Sequence, residues 1–332
     1  MDYFRNKNIL ITGGTGSFGK ACAQYLLEQD LCNKVIIFSR DEWKQWQMKE
    51  SHPIYSSEKA RFFLGDVRDK ERLERAFSDV QIVIHAAALK QVPAAEYNPS
   101  EFVKTNVTGA MNIIDAAIDA GVEKVVALST DKAVNPVNLY GATKLCSDKL
   151  FVSGNSYVGK RGFPTFSVVR YGNVLGSRGS LLPYWKEILE SGKKSLPITD
   201  VRMTRFWITL QQAVEFVLDA AKDAVGGEIF IPKSPSVKIV DLAKALSPET
   251  SYDITGIRPG EKLHELLVSQ DDARQTFEDK NRFIVCPLVS SRAFQHYSKT
   301  LKKTDDEFVL ASNVNPLFTE SIDAIRELIQ CI

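Results

Sequence analysis

Residues 129–144 bring a carboxyl, two amines, a phenol and several hydroxyls into one short stretch: Ser129-Thr130-Asp131-Lys132, then Tyr140-Gly141-Ala142-Thr143-Lys144. Together these groups supply redox and proton-transfer chemistry. Tyr140 and Lys144 stand four residues apart, so on a helix they share a face. An ammonium beside a phenol favours the phenolate, which takes a proton from a hydroxyl. The apolar run Lys124-Val-Val-Ala-Leu128 reads as a buried parallel strand. It delivers Ser129, Thr130, Asp131 and Lys132 at its carboxyl end, where open α/β sheets bind ligands. A Tyr and a Lys four apart also recur on solvated helix faces; what sets this pair apart is the motif upstream.

That motif is Ile9-Leu-Ile-Thr-Gly13-Gly14-Thr15-Gly16-Ser17-Phe18-Gly19, an apolar strand running into a glycine-rich turn and a helix from about Ser17. It is the pattern of a dinucleotide site. Gly13 makes the tight turn, Gly16 lets the backbone approach a pyrophosphate, Gly19 allows close helix packing, and the helix N-terminus faces the phosphates. The next strand, Lys34-Val-Ile-Ile-Phe38, ends in Ser39-Arg40, where an NAD-preferring site presents an acidic residue to the ribose. Arg40 suits a ribose phosphate, hence NADP; Asp41 and Glu42 follow at once and are the alternative, for a ribose hydroxyl. Two further loops are expected to line the cofactor: Gly65-Asp66-Val67, with Asp66 at the adenine edge, and His85-Ala86-Ala87-Ala88-Leu89-Lys90, with His85 structural. Thr15, Ser17, Phe18, Val67, Ala86, Ala87, Lys90 and Asn106 complete the expected cofactor set.

With 332 residues, 44% of them apolar, the chain is expected to form two unequal lobes with a large core. Its 42 Lys and Arg against 41 Asp and Glu offer no broad attraction for nucleic acid or an anionic membrane. The first strand begins too early to leave room for a signal peptide, and no apolar run spans a bilayer; a cytoplasmic protein is expected. Cys22, Cys32, Cys146, Cys286 and Cys331 include no closely spaced pair, and read as reduced thiols. Four histidines, His52, His85, His264 and His296, are little material for a metal site, and none is expected.

Strand and helix patterns alternate to about residue 175, with helices near 17–29, 69–78, 99–120 and 138–156. This is the pattern of a Rossmann-type, doubly wound parallel sheet, with a smaller, interleaved C-terminal substrate lobe. Residues 1–175 and a returning segment at about 206–232 are assigned to the sheet domain, and 176–205 and 233–332 to the lobe. Further helices are expected near 183–191, 210–223 and 319–330, and a strand at Glu228-Ile-Phe-Ile231. The lobe carries arginines near turns. Arg202 and Arg205 fall in a basic loop, Thr199-Asp-Val-Arg202-Met-Thr-Arg205-Phe206-Trp207, and Arg258 falls in Arg258-Pro-Gly-Glu261. Such forks grip a diphosphate bidentately, Glu261 accepts from ribose hydroxyls, and Phe206 or Trp207 stacks on a base or sugar. Asn173, Arg178 and Thr199 join them as substrate-side residues, with Lys90 from the cofactor side.

On the glycine motif, the run Ser129 to Lys144, the Arg170 to Gly179 loop, Thr204-Arg-Phe-Trp207 and Arg258-Pro-Gly-Glu261, the chain resembles the extended short-chain dehydrogenase/reductases. Within them it resembles the inverting UDP-N-acetylglucosamine 4,6-dehydratases of pseudaminic acid biosynthesis, nearly end to end. Asp131-Lys132 discriminates, since retaining relatives of the dTDP-glucose type typically carry Asp-Glu there. The resemblance implies that Tyr140 takes the carbon 4 hydroxyl proton while NADP accepts the hydride. Lys144 lowers the phenol pKa and holds the nicotinamide ribose, and Thr130 or Ser129 bonds the sugar oxygen. A neutral Lys132 then removes the carbon 5 proton and a protonated Asp131 donates to the departing carbon 6 hydroxyl. Hydride returns to carbon 6. Neighbouring Asp and Lys by default stabilise each other's charged forms, which suppresses both roles. Adjacent residues at a strand end can point oppositely, and if these two face different sides of the sugar, burial and nearby cations lower the Lys132 pKa while desolvation raises that of Asp131.

Two other readings share parts of this pattern. A UDP-sugar epimerase has the fold, cofactor and Tyr-Lys pair but needs no acid to expel a hydroxyl; a cofactor-sensing protein needs neither Tyr nor Lys. A homo-oligomer is expected, since some relatives of this kind form hexamers, and flagellin glycosylation is the downstream process that the resemblance implies.

Overall fold

The computed structural model describes residues 2–287 and 291–330; Cys331 lies outside the described residues. Six strands, β1 (Asn8–Thr12), β2 (Lys34–Ser39), β3 (Ala60–Leu64), β4 (Ile82–His85), β5 (Lys124–Thr130) and β6 (Thr165–Tyr171), run parallel in the order β3-β2-β1-β4-β5-β6. β5 is apolar from Val125 to Leu128 and largely buried because helices cover both faces of the sheet. The order reverses between β1 and β4, which opens a crevice at their carboxyl ends.

Beyond β6 the chain alternates between sheet and lobe. β7 (Asn173–Val174), β8 (Ser195–Ile198) and β9 (Thr204–Ile208) are lobe strands, and β10 (Ile229–Pro232) returns parallel to β6. β11 (Ser236–Lys238) closes the three-stranded sheet β11-β9-β7, β12 (Ser251–Ile254) pairs with β8, and β13 (Leu266–Val268) pairs with a later strand. β14 (Thr276–Glu278), β15 (Arg282–Val285) and β16 (Lys302–Lys303) extend the main sheet antiparallel past β10, and β17 (Leu310–Ala311) is the partner of β13.

This corrects the expected partition in two places. Residues 204–208 form a strand of the lobe, so the returning segment comprises the Leu210–Asp223 helix and β10. Residues 276–303 also lie on the main sheet, although 233–332 were assigned to the lobe. The 99–120 helix is broken: Pro99–Phe102, a π-helical turn at Val103–Thr108, then Gly109–Ala120, which ends in a left-handed Gly121 (φ 70°). The wide turn lets Asn106 point inward, where its amide donates to Leu89 O and Thr143 Oγ1 and its oxygen accepts from Leu89 N. Apolar side chains pack on both faces of the main sheet, and a third cluster around Trp185, Trp207, Leu196 and Val237 forms the core of the lobe.

Candidate functional site

β5 delivers the reactive residues, but not with the alternation of an extended strand. At Thr130 the backbone turns into a 3-10 turn, Asp131–Ala133, which Thr130 caps by accepting from Lys132 N at 3.3 Å. The turn puts Asp131 and Lys132 side by side: Lys132 Nζ donates to Asp131 Oδ1 at 3.0 Å, and Thr130 Oγ1 donates to the same oxygen at 2.8 Å. The condition that the two face different sides of the sugar is therefore not met: their side chains are bonded to each other. Asp131 is fully buried, and its Oδ2 has no hydrogen-bond partner.

The Leu139–Gly154 helix brings Tyr140 and Lys144 against this turn, held by Asn138, whose Oδ1 accepts from Gly141 N at 2.8 Å. Contact is so close that a Cβ on Gly141 would lie 2.1 Å from Lys132 O. Burial pushes the Tyr140 phenol up to about 12; Lys132 is the cation that opposes this, helped by a hydrogen bond with Thr130, while Asp131 and Asp148 add to it. Lys144 was expected to fill that role. Its own amine is lowered by burial, and its charge is answered by Asp148 one turn on.

Beneath the pair lies a buried polar chain. Ser129 Oγ donates to Asp148 Oδ2 at 2.7 Å, Arg170 Nη2 stands 3.6 Å from the same oxygen, and Arg170 Nη1 donates to Leu267 O at 3.1 Å and Asp272 Oδ2 at 3.3 Å. Ser129 is thus committed to Asp148, which leaves Thr130 as the hydroxyl beside the phenol. Burial raises the Asp148 pKa, against Arg170, Lys144 and Ser129. His85 contacts Thr12 Oγ1 through Nδ1 at 2.8 Å, and burial, then Lys144, lowers it to about 3.

Two cavities converge on this point. One, about 600 Å³, runs along the glycine turn and includes Gly13, Gly16, Ser17, Phe18, Gly19, Ala86, Lys90, Thr130, Tyr140, Lys144 and Arg178. The other, about 530 Å³, opens into the lobe and includes Thr199, Arg205, Arg258, Glu261, Lys262 and Glu265. Lys132, Asn173, Gly179 and Ser180 line both. The glycine turn fits a dinucleotide. Gly13 has φ 66°, and a Cβ on Gly19 would lie 2.6 Å from Gly13 O, so the helix packs directly on the turn and presents its N-terminus to the cavity.

The remaining expected cofactor residues lie around this cavity rather than on its wall. Ala87 N donates to Thr12 Oγ1 at 3.3 Å, Val67 packs in the core, Thr15 is buried, and Asn106 holds the loop at Leu89. At the end of β2, Arg40 Nη1 stands 4.0 Å from Asp66 Oδ2. Burial acts against Asp66, but Arg68 and then Arg40 hold its carboxyl below the usual range. Asp41 caps the Glu42–Ser51 helix by accepting from Lys44 N at 3.0 Å, whereas Arg40, more than half exposed, meets only the distant Asp66 carboxylate.

On the lobe side, several expectations are corrected. Arg202 is exposed and pairs bidentately with Asp200 at 2.7 and 3.0 Å, away from both cavities. Arg205 lies on a buried strand, not a loop. Its Nη1 and Nη2 donate to the carbonyls of Thr204, Leu263 and Lys262, so it braces the cavity instead of offering an open fork. Phe206 and Trp207 are core residues, 0% and 2% exposed, and so present no open face for a base or sugar to stack on. Arg258 and Glu261 form the turn on the cavity wall, with Glu261 Oε2 accepting from Arg258 N at 3.2 Å. Asn138 Nδ2 donates to Gly260 O at 2.7 Å, which ties this turn to the Tyr140 helix.

Sequence reading missed Lys262 and Glu265. Glu265, 2% exposed, places Oε1 3.5 Å from Lys132 Nζ and 3.8 Å from Arg205 Nε, while Oε2 is 3.8 Å from Lys262 Nζ. No local spacing marks it; only the return of the chain after β12 brings it here. Burial pulls the Lys132 ammonium down, but Asp131 and Glu265 outweigh that and its pKa is raised.

Residues 9–287 match a family model described as "Polysaccharide biosynthesis protein". The chain is 52% identical, over 99% of its length and 98% of the relative's, to a UDP-N-acetylglucosamine 4,6-dehydratase (inverting) of Campylobacter jejuni. Among solved structures it is similar to Pen from Bacillus thuringiensis, with a TM-score of 0.88 and 35% identity over 99% of this chain and 100% of that one. DesIV, a dTDP-glucose 4,6-dehydratase from Streptomyces venezuelae with NAD bound, shares the fold at a TM-score of 0.68 and 24% identity, over 77% of this chain and 86% of that one.

Proposed function

The chain belongs to the polysaccharide biosynthesis protein family of extended short-chain dehydrogenase/reductases, and we propose that it dehydrates UDP-N-acetylglucosamine across carbons 5 and 6 with inversion at carbon 5. The observation that carries this is the junction of the two cavities at Lys132, with Asp131 bonded to it and Tyr140 on the wall. One cavity suits a nicotinamide dinucleotide, the other a nucleotide sugar, and the acid-base groups stand where they meet.

A bound nicotinamide would supply the hydride acceptor for carbon 4 and the hydride donor for carbon 6. Gly13, Gly16 and Ser17 would hold its pyrophosphate, and Tyr140 and Lys144 its nicotinamide ribose. Tyr140 accepts the carbon 4 hydroxyl proton, with Thr130 bonded to the phenol and Lys132 favouring its charge. The ketone at carbon 4 acidifies the carbon 5 hydrogen. Asp131 and Lys132 rest as an ion pair, and one proton shift along their 3.0 Å hydrogen bond gives a neutral amine beside a carboxylic acid. The amine removes the carbon 5 proton, the acid protonates the departing carbon 6 hydroxyl, water leaves, and the pair regains its charges; as hydride returns to carbon 6, a solvent-derived proton reaches carbon 5 from the opposite face, which inverts it. Isolated opposite facing of the two residues is unnecessary.

Arg258, Arg178 and Lys90, which form no ion pair among the described residues, are cations available to the diphosphate; Asn173 serves the sugar and Glu261 the ribose. The test is proton NMR of the enzyme with UDP-N-acetylglucosamine in heavy water. A new methyl signal with deuterium at carbon 5 is expected; epimerised sugar without a methyl would sink the reading. The product would then enter pseudaminic acid biosynthesis and flagellin glycosylation, and the enzyme would act as a cytoplasmic homo-oligomer. No helix among the described residues is long and apolar enough to cross a membrane.

NADP is the proposed cofactor, on the strength of Arg40 at the end of β2 with Asp41 engaged as a cap. Removing one charge-assisted hydrogen bond costs about 1.5–3 kcal/mol, or roughly 10- to 100-fold in affinity. Arg40→Ala is therefore expected to weaken NADP by about that factor and leave NAD nearly unchanged, as read by calorimetric titration. An equal loss for both dinucleotides points to NAD as the native cofactor.

A further inference from the structure

The buried carboxylate of Glu265 has no role in the reaction as derived so far, yet it lies against the residue on which the elimination turns. Glu265 reaches the site from the segment that follows the Arg258 to Glu261 turn. It places Oε1 3.5 Å from Lys132 Nζ, whose other carboxylate neighbour, Asp131 Oδ1, is at 3.0 Å. Lys132 is thus held beside two carboxylates. Glu265 is itself fixed by Arg205 Nε at 3.8 Å and by Lys262 Nζ at 3.8 Å, and Lys262 also donates to Val134 O just past the reactive turn. Oε2 of Glu265 and Oδ2 of Asp131 are both buried without a hydrogen-bond partner. Such orphaned carboxylate oxygens are costly unless the charges around them compensate.

We propose that Glu265 is the positioning residue for Lys132, anchoring its amine beside two carboxylates at the cavity junction so that the carbon 5 proton restores the Asp131–Lys132 ion pair at each elimination. The inference rests on the dehydratase reading above. An ammonium on a flexible four-carbon stem has many rotamers, and one carboxylate leaves it free to swing about the contact. A second carboxylate paired with it restricts the nitrogen further. When Lys132 gives its proton to Asp131 along their hydrogen bond, the lone pair it gains faces Asp131, and Glu265, 3.5 Å away, keeps the nitrogen in place while the neutral amine turns that lone pair into the cavity. When Lys132 takes the carbon 5 proton, the ammonium is again charge-compensated. No proton is stored on Glu265, and no further reactant is needed.

The arrangement also sets the charge of Lys132. Burial lowers its pKa, Asp131 and Glu265 raise it, and Arg205 opposes them. Lys262, Lys90 and Tyr140 are the other titratable groups facing it. Without Glu265, Arg205 and Lys262 would stand as uncompensated cations beside Lys132, and the ammonium would lose its proton at lower pH.

The test compares full-length wild type, Glu265→Gln and Glu265→Asp in two measurements. The first is a carbon-13 NMR titration of lysine-labelled enzyme without sugar, with the Lys132 signal assigned by its loss in Lys132→Met. Wild-type Lys132 is expected to stay charged up to the ordinary lysine value of 10.5, whereas in Glu265→Gln it titrates at lower pH. The second is methyl formation from UDP-N-acetylglucosamine. Misplacement by about an ångström costs about 10²-fold, so Glu265→Gln is expected to lose about that much, with reduced nicotinamide building up ahead of product. Glu265→Asp, which keeps the charge, is expected to restore the titration and part of the rate. Loss of rate with an unchanged Lys132 titration would mean a merely structural role and overturn the proposal, as would wild-type turnover in Glu265→Gln. If wild type itself makes no methyl product, the dehydratase reading fails, while the titration still decides whether Glu265 governs Lys132.

Discussion

Tyr140→Phe lowers the rate of carbon 4 oxidation by about 10³-fold, within the 10²–10⁴ that a positioned proton-transfer group contributes. The variant keeps the buried ring and loses only the oxygen, so the Leu139–Gly154 helix and its cap at Asn138 remain. The readout is reduced nicotinamide after mixing with UDP-N-acetylglucosamine, with circular dichroism to verify the fold. The pH dependence sharpens the expectation. Burial pushes the phenol up to about 12, so at neutral pH the phenolate is the minor form and its fraction rises with pH. Wild-type oxidation should therefore climb with pH through the neutral range, while the residual rate of Tyr140→Phe stays flat. Oxidation in the variant at the wild-type rate would remove Tyr140 from the chemistry.

What was legible before the fold and what was not separates along a physical line. The glycine turn, the apolar strands and the Tyr140 to Lys144 spacing are local signals, carried by residues within a few positions of one another, and each fell where its local rule put it. Helix 210–223 matched to the residue because its apolar period is strong and Thr209 and Gln212 form a capping box. The Glu42–Ser51 helix escaped notice because it has no apolar period, with Trp43 and Trp46 stacked on its exposed face. The site's other half is made of contacts that no window contains: Lys262 with Val134, Asn138 with Gly260, Glu265 with Lys132. Arginine roles were the hardest. Arg202, Arg205 and Arg258 are alike as letters, and only packing shows that the first pairs with Asp200 and the second spends its donors on carbonyls.

Asp131→Asn separates the two halves of the reaction. Loss of the acid that protonates the departing hydroxyl is expected to slow methyl formation by about 10²–10⁴-fold. Carbon 4 oxidation should hold or rise, since Asp131 is one of the charges that raise the Tyr140 pKa, and Glu265 still keeps Lys132 charged beside the phenol. The expected result in heavy water is therefore a 4-keto sugar with reduced nicotinamide, and no methyl signal. Asparagine keeps an oxygen for Thr130 and Lys132 but places an amide where Oδ2 has no partner, which costs about 1–3 kcal/mol of stability and is measured as a lower Tm. Lys132→Met differs in direction: it removes the carbon 5 base and also the cation that favours the phenolate, so both halves slow together. A variant pair in which Asp131→Asn loses oxidation and elimination equally would mean that the carboxyl orders the site instead of supplying the proton. Selective loss of elimination places the proton on Asp131 and leaves Lys132 as the one group that serves both steps.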